Sequence, residues 1–182
     1  MIVMAIIAGV VGLALPKLRK SETNIKGVMR ELGALSVEVR HHARLKNSTY
    51  RIVFNMTGSE HSYYLEAANH KVLIKSSDRL EREKSLSKED QPSTPFQKVD
   101  KPLKGEKKIP SGLMIKSVET RLTKGPITSG IAYVHYTPEG LAEQAIIQIS
   151  KGNDFTWSLI INPLTGHADI VDKAVSMKDL EL

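Results

Sequence analysis

MIVMAIIAGVVGLALPKLRKSETNIKGVMRELGALSVEVRHHARLKN, residues 1–47, holds a single proline, Pro16, and no charged side chain before Lys17. Its first fifteen residues are apolar almost throughout, with Ile2, Val3, Ile6, Ile7, Val10, Val11, Leu13 and Leu15 as the bulky positions. Beyond Pro16 the apolar residues thin to Leu18, Ile25, Val28, Met29, Leu32, Leu35, Val39 and Ala43. Steps of three, four and seven place these on one stripe of a helix. Lys26, Arg30, Glu31, Glu38, Arg40 and Arg44 fall on the other faces. The pattern predicts one long helix ending near Lys46, with an apolar half (1–15) and an amphipathic stem (16–47). Pro16 lacks an N–H and can loosen the turn before it. Gly27 and Gly33 each cost about 1 kcal/mol in a helix, and are expected where sheet backbone or another subunit approaches closely.

At 1.5 Å per residue the apolar run covers about 22 Å, against about 30 Å for a bilayer core. It is short for a complete span. It lacks the basic lead of a secretory signal, and it passes into the charged stem without a break.

The 182 residues suit one modest domain plus an appendage. Aromatic residues are only 5% of the chain, so aliphatic side chains must fill the core. The absence of cysteine excludes a disulfide framework, a thiol nucleophile and a thiolate zinc site. A net charge of +6 permits contact with anionic lipid or nucleic acid without requiring either.

After the stem come β patterns. Residues 49–56 (TYRIVFNM), 61–67 (HSYYLEA) and 71–75 (KVLIK) predict three strands of an antiparallel meander. Residues 76–108 are dense in charge, contain Pro92, Pro95 and Pro102, and predict a long mobile loop. Further strands are predicted at 113–119, 130–136, 143–150, 155–162 and 168–171, with turns at 137–140 (TPEG) and 163–166 (PLTG). Within 155–162, Trp157, Leu159 and Ile161 share one face by period two. That face is expected against the stem residues Ile25, Val28, Leu32, Leu35 and Val39, leaving Ser158, Ile160 and Asn162 outward. The closing segment to Leu182 is short and mildly acidic. The expected division is a helix over 1–47 and a β-rich domain over 48–182.

No GxSxG, P-loop, HExxH or GxGxxG is present. His41 and His42 are adjacent and so diverge on a helix. His167 and Asp169 share a strand face, too little for a site, and Asp154, Asp169 and Asp172 lack a ligand-dense loop. Asn47 and Asn55 open glycosylation-type triplets that read as chance matches. No catalytic residue, metal or cofactor is expected.

MIVMAIIAGVVGLALPKL resembles the N-terminal segment of type IV pilins and type II secretion pseudopilins. Residues 2–8, Gly9 and Gly12 match its apolar body, and Pro16 its proline. At the other end, YVHYTPEG followed by a strand and WSLIINPLTGHADI resembles the H-type minor pseudopilins and their pilus relatives. The family's leader, cleavage glycine and glutamate have no match, so the resemblance implies further residues ahead of Met1. It also implies a pilin-like α+β fold, a long N-terminal helix on an antiparallel body of two small sheets. The implied role is a minor pseudopilin at the tip of a secretion pseudopilus, with other pseudopilins or pilins in a helical filament as partners. The inner membrane would hold the apolar helix before assembly, the domain would lie in the periplasm, and secreted proteins would be further partners. The alternative is a minor type IV pilin of pilus assembly or DNA uptake. Basic residues interleaved with acids speak against a nucleic-acid partner.

Overall fold

The computed structural model of the chain describes residues 25–72, 95–152 and 155–180. The apolar positions Ile2, Val3, Ile6, Ile7, Val10, Val11, Leu13, Leu15 and Pro16 lie outside the described residues. Among those described, no helix is long and apolar enough to cross a membrane.

The helix, α1, occupies residues 25–46. Ile25, Val28, Met29, Leu32, Leu35, Val39 and Ala43 are all buried in the main core. α1 ends at Asn47, whose φ of 50° is the left-handed conformation that asparagine tolerates at a helix terminus. There the Ser48 N–H donates to Ala43 O at 3.1 Å, and the Asn47 N–H to Arg44 O at 3.3 Å.

Two antiparallel sheets follow. The first contains β1 (Tyr50–Met56), β2 (Ser62–Ala68), β3 (Phe96–Val99) and β6 (Gly130–Tyr136), in the order β3-β2-β1-β6, and β4 (Lys107–Lys108) also pairs with β2. The second contains β5 (Met114–Thr120), β7 (Ala145–Lys151), β8 (Phe155–Ile161) and β9 (Ala168–Val171), in the order β5-β7-β8-β9. Both lay an apolar face on α1: Ile52, Phe54, Leu65 and Val134 from the first, Val118, Ile147, Leu159 and Ile161 from the second. The fold is α+β, one helix against two antiparallel sheets.

Three expectations change. Lys71 and Val72 lie in no strand, and the remaining residues of 71–75 are outside the described set. The outer partners of β2 are instead β3 and β4, from the stretch expected to be a loop. β3 was obscured because its alternation has only two apolar members: Val99 packs on the core, and Phe96 faces outward beneath a guanidinium. Residues 76–94 of that stretch lie outside the described residues.

The third change concerns β8. Ser158 was expected to face solvent and is fully buried. The closing segment runs across the outer face of the second sheet and packs Val175 and Met177 on Ile146, with Ile160 and Val171 beside them. The Ser158 hydroxyl donates to Lys173 O at 2.7 Å and accepts from the Val175 N–H at 2.9 Å. Gln148 donates to Val175 O at 2.8 Å, and Glu119 accepts from the Met177 N–H at 2.9 Å. The segment is thus pinned successively to β8, β7 and β5, and the second sheet is buried on both faces.

Candidate assembly surface

The inner side of α1 carries polar fasteners among its apolar residues. The Ser36 hydroxyl donates to Gly166 O at 2.7 Å and accepts from the Tyr136 hydroxyl at 2.9 Å. Arg40 Nε donates to Gly140 O at 2.5 Å. Glu31 accepts from the Tyr63 hydroxyl at 2.8 Å and pairs with Lys107. Burial, then the bond to Glu31, pushes the Tyr63 phenol well above its ordinary pKa, and burial does the same for Tyr136. Both phenols therefore remain protonated donors across the ordinary pH range.

The two turns meet α1 through glycine. Gly166 has φ of 69°, and a Cβ there would lie 2.8 Å from Arg40 Cδ. Gly140 has φ of 81°, and a Cβ there would lie 3.4 Å from Arg44 Cδ. At Gly166 glycine supplies both the left-handed backbone and the space, and at Gly140 it supplies the left-handed backbone. The turns are bonded to one another by the Ala142 N–H donating to Pro163 O at 2.8 Å. Around this end the apolar Leu45, Leu141 and Leu164 stay exposed.

The opposite side of α1 is bare. Gly27, Arg30, Ala34, Glu38, His41 and Leu45 form an exposed stripe at helical spacing. A Cβ on Gly27 would meet nothing within 4 Å, whereas one on Gly33 would lie 3.4 Å from Ala168 Cβ. Gly33 thus serves the helix-sheet seam, and Gly27 leaves a shallow place on the open side. The outer face of the first sheet is a stacked polar array. Arg51 lies between the rings of Phe96 and Tyr133, at 4.0 and 4.1 Å, and pairs with Glu66 at 2.5 Å. Beside it His135 pairs with Glu143 at 2.7 Å.

Of the stem residues expected on the sheets, Ile25, Val28, Leu32, Leu35 and Val39 are buried. Trp157 is half-buried at the rim, with Lys26 over its ring at 5.0 Å. Arg40 was placed away from the domain and instead fastens it. Ser36 was passed over, and its signal was present: a serine on the stripe of Leu32, Leu35 and Val39. His61, also unassigned, accepts the Ile115 N–H on Nδ1 at 3.0 Å and so joins the β1–β2 turn to the second sheet. Among the described residues no group of His, Cys, Asp or Glu could hold a metal. The chemistry displayed is that of fastening and contact.

No family model and no curated protein matches the chain. Its fold is pilin-like, a helix laid along two antiparallel sheets. Among solved structures it is similar to the minor pseudopilin EpsH from the Type 2 Secretion System of Vibrio cholerae, with a TM-score of 0.52 and 9% identity, over 84% of this chain and 99% of that one.

Proposed function

We propose that the chain is a minor pseudopilin, a structural subunit of a type II secretion pseudopilus with no catalytic role. The observation that carries this is the two-sided helix: one side sealed to both sheets by apolar packing and by Ser36, Arg40 and Glu31, the other open along its described length. Such a helix fits beside a neighbour's helix while its domain faces outward. The likeness of fold to EpsH and the apolar run ahead of the stem support the same reading. On it, residues 1–15 lie in the inner membrane before assembly and in the filament core afterwards. Other pseudopilins are then the partners, the domain is periplasmic, and secreted proteins pass the filament tip. The alternative, a minor type IV pilin, has the same fold and differs in what its filament serves.

The chain has no cysteine, so a single one can be placed at will. Ala34→Cys, on the open side of α1, is expected to cross-link to another pilin-like subunit in cells assembling the filament. Deletion of the gene is expected to stop protein export and leave twitching and DNA uptake intact. Export unaffected with pili lost would select the alternative. A chain that stays monomeric and fractionates with soluble periplasm would remove both.

A further inference from the structure

The end of the domain nearest the start of the described helix differs from the rest of the surface. β5 begins there with Met114, which is 46% exposed, and β8 with Phe155, which is 44% exposed. Met114 pairs with Ser150 and Phe155 with Lys151, so the two residues sit at the same end of the strands that flank β7, Phe155 on the face of Trp157 and Met114 on the other. Trp157 follows at the rim under Lys26. An open groove of about 450 Å³ runs from it past Lys26 and Arg30 along β9 to Asp172. A second groove continues beyond Trp157 to Lys173. Lys116 reaches Thr156 from the far side, at 3.3 Å.

Five cations therefore surround three large apolar side chains: Lys26, Arg30, Lys116, Lys151 and Lys173. Their described acidic company is Asp172, with Asp179 within the field of Lys173, and none of the five has an ion-pair partner among the described residues. Other exposed lysines are paired, as Lys71 is with Glu139, Lys98 with Glu106 and Lys108 with Glu60. Aromatic and aliphatic side chains set among Lys and Arg match the boundary of a lipid bilayer, where rings sit at headgroup level and cations meet lipid phosphates.

The chain also places this end near a bilayer. Nine residues, 16–24, separate the apolar run from Ile25. They span about 14 Å along a helix and at most about 30 Å when extended. We infer that this pole is a docking surface for anionic lipid. Before assembly the domain leans on the membrane through Phe155, Trp157 and Met114, with the five cations on lipid phosphates, and extraction into a filament breaks that contact. The inference rests on the reading of residues 1–15 as a membrane segment.

Trp157 is the chain's single tryptophan, so its fluorescence reports on this pole alone. The experiment uses the full chain in nanodiscs of phosphatidylcholine, with and without phosphatidylglycerol. In phosphatidylglycerol discs Trp157 emission is expected to shift to the blue and to be quenched by brominated lipid. The shift should vanish as salt rises from about 0.1 M to about 1 M, which shortens the screening length from about 10 Å to about 3 Å. It should be lost in a Lys26→Gln, Arg30→Gln, Lys173→Gln variant with unchanged circular dichroism. A chain that enters the discs and shows the same emission with and without phosphatidylglycerol overturns the docking surface and leaves the membrane segment standing. A chain that does not enter them overturns both. A blue shift given by polyglutamate over neutral discs, and not by phosphatidylglycerol, assigns the pole to an acidic protein and overturns the lipid.

Discussion

The two sheets share one helix and solve opposite problems on their outer faces. The first leaves that face open and fills it with side chains that satisfy one another: Arg51 stacked between Phe96 and Tyr133 and paired with Glu66, and His135 paired with Glu143. The second has Ile146 and Ile160 on its outer face, and it covers them with the chain's own closing segment. Paired charges and cation–ring contacts hold their geometry in water at modest net gain. Isoleucine side chains gain only where water is excluded, about 1.5–3 kcal/mol for each fully buried. A pilin-like domain built this way has one face available to partners and one that it has used up.

The sharpest way to break that contrast is to cut the same kind of side chain on each outer face. Ile146→Ala is expected to cost about 2–5 kcal/mol, the range for a buried isoleucine, and Ile131→Ala, on the open face, under about 0.5 kcal/mol. Denaturant unfolding of the two variants measures both. Equal costs would mean that the closing segment covers nothing. Next in size is Ser158→Ala, which orphans the Val175 N–H and the Lys173 carbonyl. It is expected to cost about 1–3 kcal/mol and to speed amide exchange over residues 172–180 while leaving β1 and β2 protected. Exchange that rises evenly through the molecule would show that the segment is part of the global core. Smaller again is Arg51→Lys, which keeps the charge and loses the planar stack between two rings. About 1 kcal/mol is expected, with a change in near-ultraviolet dichroism from Tyr133. An unchanged spectrum would mean that the stack does not persist in solution.

Much of this was legible in the chain. The stripe from Ile25 to Ala43 specified a helix, because a period of 3.6 has one structural answer. The strands at 130–136 and 168–171 stood out because glycine, proline and asparagine punctuate them. The cover on the second sheet was half-legible. AIIQIS in β7 is nearly continuous in apolar residues, the mark of a strand buried on both sides, but nothing in DKAVSM names it as the cover. β3 escaped because Phe96 contributes to a ring–guanidinium contact rather than to the core, and periodicity counts only apolar residues facing one way. The fasteners escaped for the same reason. Ser36, Arg40 and Glu31 bond to residues about a hundred positions away or to neighbouring strands, and no local pattern encodes such partners.

The smallest expected effect is on acid stability, and it separates the two solutions by their chemistry. Apolar cover does not titrate, whereas paired carboxylates do. Glu139, in the turn whose glycine carbonyl holds Arg40, is brought down to about 2 from an ordinary value of 4.5, first by the hydrogen bond from Lys71 and then by a backbone N–H. Around the first sheet, Glu60 is lowered by Lys108, and Glu106 by Ser62 and Lys98. A carboxyl whose folded pKa lies below its unfolded one binds fewer protons when folded. Its stabilisation is complete above the unfolded value and is lost as pH falls through the folded value. For Glu139 the window therefore runs from about pH 5 down to about pH 2. Glu139→Gln should leave a small stability deficit at neutral pH that closes as pH falls through that window. The pair is exposed and screened, so the deficit should also shrink with salt at neutral pH. Unfolding midpoints of parent and variant, followed from neutral to acid at low and high salt, measure it. A deficit that stays constant down to pH 2 would mean that residue 139 acts through the backbone of its turn, and the ion pair with Lys71 would then be incidental to how the turn grips the helix.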